Sequence, residues 1–293
     1  DTHSGFRNSI NFALQQQPNQ IDIFPLAVLP GTELHQKQAK FGISAQQHPP
    51  YLIQQNDSYL PEELEQSAQL AVATDIFYNR GRAVGFFLQF CAALSLQPVE
   101  FLERFQHWLQ ANKELPPERK TSAESWLPAE ILQLQKRFCA DQFRATNQSR
   151  LFPLAEDLLN YHFCCAELLL AEECAPPDKR PSDKQLLKQH WKLNSSVTVQ
   201  RFNYDLEELE EFGWEKLGKL TKRLKMETSY GIFLQQQGQP IVEAVQNEFA
   251  QLLIKADGQI STRELTRDLP KQEALELLQF AVDHGLLLPV NSL

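Results

Sequence analysis

The densest set of metal-capable side chains is His162, Cys164, Cys165 and Cys174. Zinc and iron–sulfur centres need several thiolates or imidazoles converging on one ion, usually from Cys-x-x-Cys turns. Here the set follows one predicted helix, on which adjacent residues such as Cys164 and Cys165 point about 100° apart. Buried core thiols are the favoured reading, and no metal ligand is assigned. A second candidate, Asp257-Gly-Gln-Ile-Ser-Thr-Arg-Glu264, copies the latter half of a calcium loop. Oxygen ligands would also be needed two and four residues earlier, where Lys255 and Leu253 stand. A tight turn into a capped helix explains the stretch better.

The signatures of other chemistries are missing from the sequence. It has no Gly-rich phosphate loop, no Gly-x-Ser-x-Gly and no His-Glu-x-x-His. His3, His35, His48, His107, His162, His190 and His284 are scattered, with no acid–base pairing visible from spacing. They read as surface or satisfied core groups.

The elements that would position a site are mostly helical. Phe6, Ile10, Ala13 and Leu14 share one helical face, with Ser4 as N-cap and Pro18 as the stop. The apolar run Ile21 to Leu29 then reads as a buried strand, broken by Pro30-Gly31. A helix feeding a two-sided buried strand is half of a βαβ unit. The expectation is therefore an α/β barrel remnant whose earlier strand lies before residue 1.

Helices are predicted from Pro61 to Tyr78 and over Val84–Ala93, Pro98–Ala111, Pro128–Phe143 and Leu154–Glu173, with Pro116-Pro117 and Pro176-Pro177 between them. Beyond Pro181 the pattern mixes. Strands are expected at Val197–Phe202, Ser229–Leu234 and Leu286–Val290. Helices are expected at Asp205–Lys225, Pro240–Leu253, Thr262–Asp268 and Lys271–His284. The fold class is thus mostly α, in three parts: 1–59, barrel remnant and linker; 60–180, helical domain; 181–293, α+β ending in a small winged-helix-like module.

A chain of 293 residues with 42% hydrophobic and 22% charged residues is globular in composition. Its net charge of -9 argues against a sequence-independent grip on nucleic acid. The C-terminal segment from Lys271 carries Glu273, Glu276 and Asp283, so a packing role is favoured there over DNA contact. No apolar stretch is long enough to cross a bilayer. Five unpatterned cysteines without an export signal read as reduced thiols of a cytoplasmic protein.

One constellation is more specific. Asp1-Thr2, Phe6 and Ser9 precede Asn19-x-x-Asp22-x-Phe24-x-Leu26-x-Val28-Leu29-Pro30-Gly31-Thr32-x-Leu34, with Pro49-Pro50-Tyr51 after it. This resembles the last third of a radical S-adenosylmethionine barrel, in particular that of the cobalamin-binding members with an extra helical C-terminal domain. Asp75-x-x-Tyr78-Asn79-x-Gly81-Arg82 is similar to the first helix of that domain.

The resemblance implies a [4Fe–4S] cluster on a Cys-x-x-x-Cys-x-x-Cys loop, S-adenosylmethionine cleaved to a 5′-deoxyadenosyl radical, cobalamin, and a small-molecule substrate. No such cysteine spacing is present in this sequence. The resemblance therefore implies a C-terminal fragment, inactive alone, whose partners are the upstream domains of the same chain. Val28, Leu29, Pro30, Gly31 and Thr32, at the C-terminal end of the stave, are then expected to face the cofactor or substrate. The alternative is a helical interaction module without chemistry of its own.

Overall fold

The structure is a computed structural model and describes residues 2–177, 179–212 and 215–290. Asp1 of the N-terminal motif, Gly213 and Trp214 of the expected 205–225 helix and the last three residues lie outside the described residues. About 54% of the chain is helical and 16% strand, so it is mostly α. No described helix is long and apolar enough to cross a membrane. The chain divides into two compact units, Asp1–Ala155 with Lys216–Gly218, and Glu156–Glu215 with Lys219–Leu293.

The first unit holds α1 (His3–Gln15), α2 (Pro61–Thr74), α3 (Phe87–Leu94), α4 (Pro98–Ala111) and α5 (Pro128–Ala145). The same device starts α2, α4 and α5: proline in the first turn and glutamate two residues after it. Each glutamate reaches back to the N-cap backbone N–H: Glu63 to Leu60 (2.9 Å), Glu100 to Gln97 (2.9 Å) and Glu130 to Leu127 (3.0 Å). Proline has no N–H to orphan at that position, and the carboxylate suits the positive helix end. At α1 it is Thr2, not Ser4, that caps, accepting from Gly5 N. Ile10 and Leu14 of the expected face are buried.

Six residues of π-helix, Asp75–Arg80, continue α2. They carry Phe77, fully buried, into a nest of rings from three other helices. Phe101 and Phe105 lie 5.0 Å away, Phe138 5.9 Å and Phe87 6.2 Å, mostly edge to face. Such pairs add about 0.5–1.5 kcal/mol each beyond burial. All five rings of this knot are fully buried.

The second unit contains two three-stranded antiparallel sheets. One is ordered β4 (Thr198–Tyr204), β5 (Met226–Gln236), β6 (Gln239–Val245). The other places β3 (His190–Leu193) between β7 (Asp257–Ser261) and β8 (Leu287–Pro289). The helix α6 (Phe152–Leu168) carries Asp157, whose carboxylate is fully buried. It accepts from Asn203 N (3.0 and 2.8 Å), Asn203 Nδ2 (2.9 Å) and Tyr204 N (2.9 Å). Burial pushes this carboxyl up to about 7, while the donors of Asn203 and Tyr204 pull it the other way.

Three expectations fail here. The expected helix from Pro240 is a strand, because Gln237 (φ 53°) and Gly238 (φ 70°) form a two-residue hairpin that returns the chain along β5. Helix begins only at Asn247, as Asn247–Lys255. The single helix expected over 205–225 is two, Leu206–Phe212 and Leu217–Arg223.

The third failure is the barrel stave. Among the described residues Ile21 to Leu29 forms no strand, and no barrel is present. Its one ladder contact is an antiparallel bridge between Ala27 and Leu52, beside the two-stranded ribbon of β1 (Ser44–Ala45) and β2 (Ile53–Gln55). Pro25 brings no N–H to a ladder, and no described strand pairs with the run in parallel. Phe24 is 82% exposed, Leu26 51% and Leu29 50%, where a buried stave was expected.

Candidate functional site

Val28 is the buried member of the expected site, and its N–H donates to Tyr51 O at 2.8 Å. Ile53 N returns the contact to Leu26 O at 2.9 Å. These two bonds bring the Leu-Pro-Gly-Thr and Pro-Pro-Tyr motifs side by side, although they are well apart in sequence. Tyr51 closes its own turn by donating to His48 O at 3.0 Å and holds a left-handed φ of 58°. For a bulky side chain that is an uncommon, strained conformation.

Leu29 to Thr32 forms the turn itself. Proline in the second place and a positive φ (86°) at Gly31 in the third match a type II turn. Thr32 closes it through N (3.2 Å) and Oγ1 (2.7 Å), both donating to Leu29 O. The same hydroxyl accepts from His35 N at 3.3 Å and so caps the short helix Glu33–Gln36. Thr32 is thus engaged in holding the turn. Nothing lies within 4 Å of where a Gly31 side chain would begin, so glycine is needed there for its backbone and not for space. Leu29, Pro30 and Gly31 face solvent.

The other end of the run is tied to the π-helix. Asn79 Oδ1 accepts from Ile21 N and Nδ2 donates to Ile21 O, both at 3.0 Å. Asp75 Oδ1 accepts from the same amide nitrogen at 3.1 Å, and Asp75 also pairs with Arg80 at 3.4 Å. Tyr78 donates its hydroxyl to Pro18 O at 2.6 Å, with burial pushing the phenol up to about 12 and keeping it a donor. The Asp-x-x-Tyr-Asn motif therefore works as an anchor for the segment that leads to the turn. Its partner residues were not legible from spacing.

Four of the five thiols are buried, and Cys165 is half-buried. Among the described residues no three His, Cys, Asp or Glu side chains are grouped as metal ligands. Burial pushes the Cys91, Cys139, Cys165 and Cys174 thiols up. Cys174 accepts from Asn194 Nδ2 at 3.4 Å, while Cys164 and Cys165 sit on α6. Asp257, the first position of the calcium-like stretch, accepts from Gln259 N (2.8 Å) and Ile260 N (2.9 Å), and Ser261 caps the following helix.

A cleft of about 370 Å³ lies in the second unit, lined in part by Glu167, Glu172, Ser195, Ser196 and Thr198. It includes none of the residues singled out from the sequence. A scan against protein-family models finds no match for the chain, and no curated protein matches it.

Proposed function

We propose that this chain is the C-terminal part of a radical S-adenosylmethionine enzyme, with Val28, Leu29, Pro30, Gly31 and Thr32 at the active-site end. The observation that carries the reading is the exposure of Phe24, Leu26 and Leu29 on a segment held fast at Ile21 and Val28. Large apolar side chains on an anchored segment mark a surface that something else covers. In this reading the cover is another part of the same polypeptide, and Leu29–Thr32 is the turn that faces it.

The sequence has no Cys-x-x-x-Cys-x-x-Cys spacing, so the three-cysteine loop belongs to another part of the polypeptide, as does cobalamin if it is used. The contribution of these residues is to shape the turn and exclude water from the site. The substrate is a small molecule and the setting cytoplasmic. The helices and the β7-β3-β8 sheet of the second unit support a winged-helix-like end. Its acidic Lys271–Asp283 helix favours a packing role there.

The complete polypeptide, reconstituted anaerobically with iron and sulfide, is expected to cleave S-adenosylmethionine to 5′-deoxyadenosine under reduction. A complete reading frame without a three-cysteine loop, or a reconstituted protein that forms no 5′-deoxyadenosine, rejects the reading. The alternative is a helical interaction module. It is favoured by the aromatic knot around Phe77, built entirely of residues from Phe77 to Phe138. A start codon close to Asp1 would support it.

A further inference from the structure

We propose that Gln135 is a positioning residue for the Val28–Thr32 turn, acting through the π-helix; the use of that turn rests on the reading above. Gln135 stands on α5, is 2% exposed, and lies more than fifty residues from the groups it holds. Its Nε2 donates to Phe77 O at 2.9 Å and to Gly81 O at 3.0 Å. Asn79, which carries the clamp on Ile21, sits midway between those carbonyls in the chain.

The need for such a partner follows from the backbone. A π-helix is a rare conformation that depends on its surroundings. At its end, the N–H groups of Gly81 and Arg82 both turn to Asn79 O, and Phe77 O is met by the glutamine. One uncharged amide nitrogen carries two donors, enough for both carbonyls. Methionine has no donor, and an ionised glutamate has none. Access depends on Gly81: a Cβ there would stand 2.1 Å from Phe77 O and 2.2 Å from Gln135 Nε2. The contacts thus run from Gln135 to the two ends of the 77–81 segment, from Asn79 to Ile21, and along the anchored run to Val28.

Hydrogen exchange on the 293-residue chain reads this directly at the Ile21 and Val28 amides. Gln135→Met keeps volume and removes both donors. It is expected to speed Ile21 exchange about tenfold, the equivalent of one to two net hydrogen bonds. Asn79→Ala should do the same, and the double variant should exceed neither by much. Gln135→Glu restores one donor only when protonated, so its Ile21 protection should improve relative to wild type as pH falls. Unchanged Ile21 exchange in folded Gln135→Met, faster Ile21 exchange with Val28 exchange unchanged, or additive effects in the double variant overturns the proposal. Should Gln135→Met unfold, Gln135→Glu decides: protection that does not return on acidification also overturns it. None of these readouts involves S-adenosylmethionine, so failure of the enzyme reading leaves this result intact, and the reverse.

Discussion

The side-chain amide of Asn79 grips both backbone groups of Ile21, its oxygen on the N–H and its nitrogen on the carbonyl, each at 3.0 Å. A carboxamide used this way imitates a neighbouring strand. It fixes the start of a run that has little other backbone support before Leu26.

Asn79→Asp is the sharpest probe of that grip. An ionised aspartate cannot donate to Ile21 O, and it places a second carboxylate beside Asp75. The expected cost is about 1–3 kcal/mol, read by urea denaturation of the chain. A variant as stable as wild type would show that the bonds contribute nothing net.

Two glycines should respond differently to alanine. At Gly31 the added Cβ meets no atom, so only the left-handed backbone resists, at about 1–2 kcal/mol. At Gly81 the Cβ would press on Phe77 O and Gln135, inside the buried part of the first unit. Gly81→Ala should therefore cost more than Gly31→Ala. Thermal denaturation of both variants checks the order.

Asp157→Asn preserves size but turns an amide N–H₂ toward backbone donors of Asn203 or Tyr204. A loss of about 1–3 kcal/mol is expected in the stability of the second unit, followed by circular dichroism during urea unfolding. Indifference to the change would mean that the carboxylate is not what holds α6 to β4.

His162 should make the fold acid-sensitive. Burial lowers its imidazole from 6.5 to about 4, so between those values the unfolded chain takes up a proton that the folded chain refuses. Its contribution is complete above about 6.5 and is lost as pH falls toward 4. The Asp157 carboxyl, raised to about 7, works the other way over this range, so the test is the difference: from pH 7 to pH 4 the wild-type denaturation midpoint should fall relative to that of His162→Gln. An unchanged slope in the variant contradicts this.

What could be read from the sequence was what local chemistry determines. Pro61, Pro98 and Pro128 mark three helix starts in the sequence because a helix start depends on adjacent residues. The Leu-Pro-Gly-Thr turn was legible for the same reason: proline and glycine carry their own dihedral preferences. The run before it misleads because its apolar side chains suggest a burial that Phe24, Leu26 and Leu29 do not have, and Pro25 has no N–H to give a ladder. After Pro240 helical periodicity competes with the hairpin signal of Gln237-Gly238, and the hairpin wins because both residues hold a positive φ. Gln135 had no sequence signal at all. Its role depends on a π-helix and on the absence of a side chain at Gly81, more than fifty residues away.

The most direct measurement is S-adenosylmethionine cleavage by the complete polypeptide carrying Gly31→Val, with cluster absorbance recorded alongside. The account predicts an intact cluster, as in wild type, with turnover lost because valine cannot hold the turn at φ 86°. Normal turnover by the variant, or no reductive cleavage by the wild type, would contradict it.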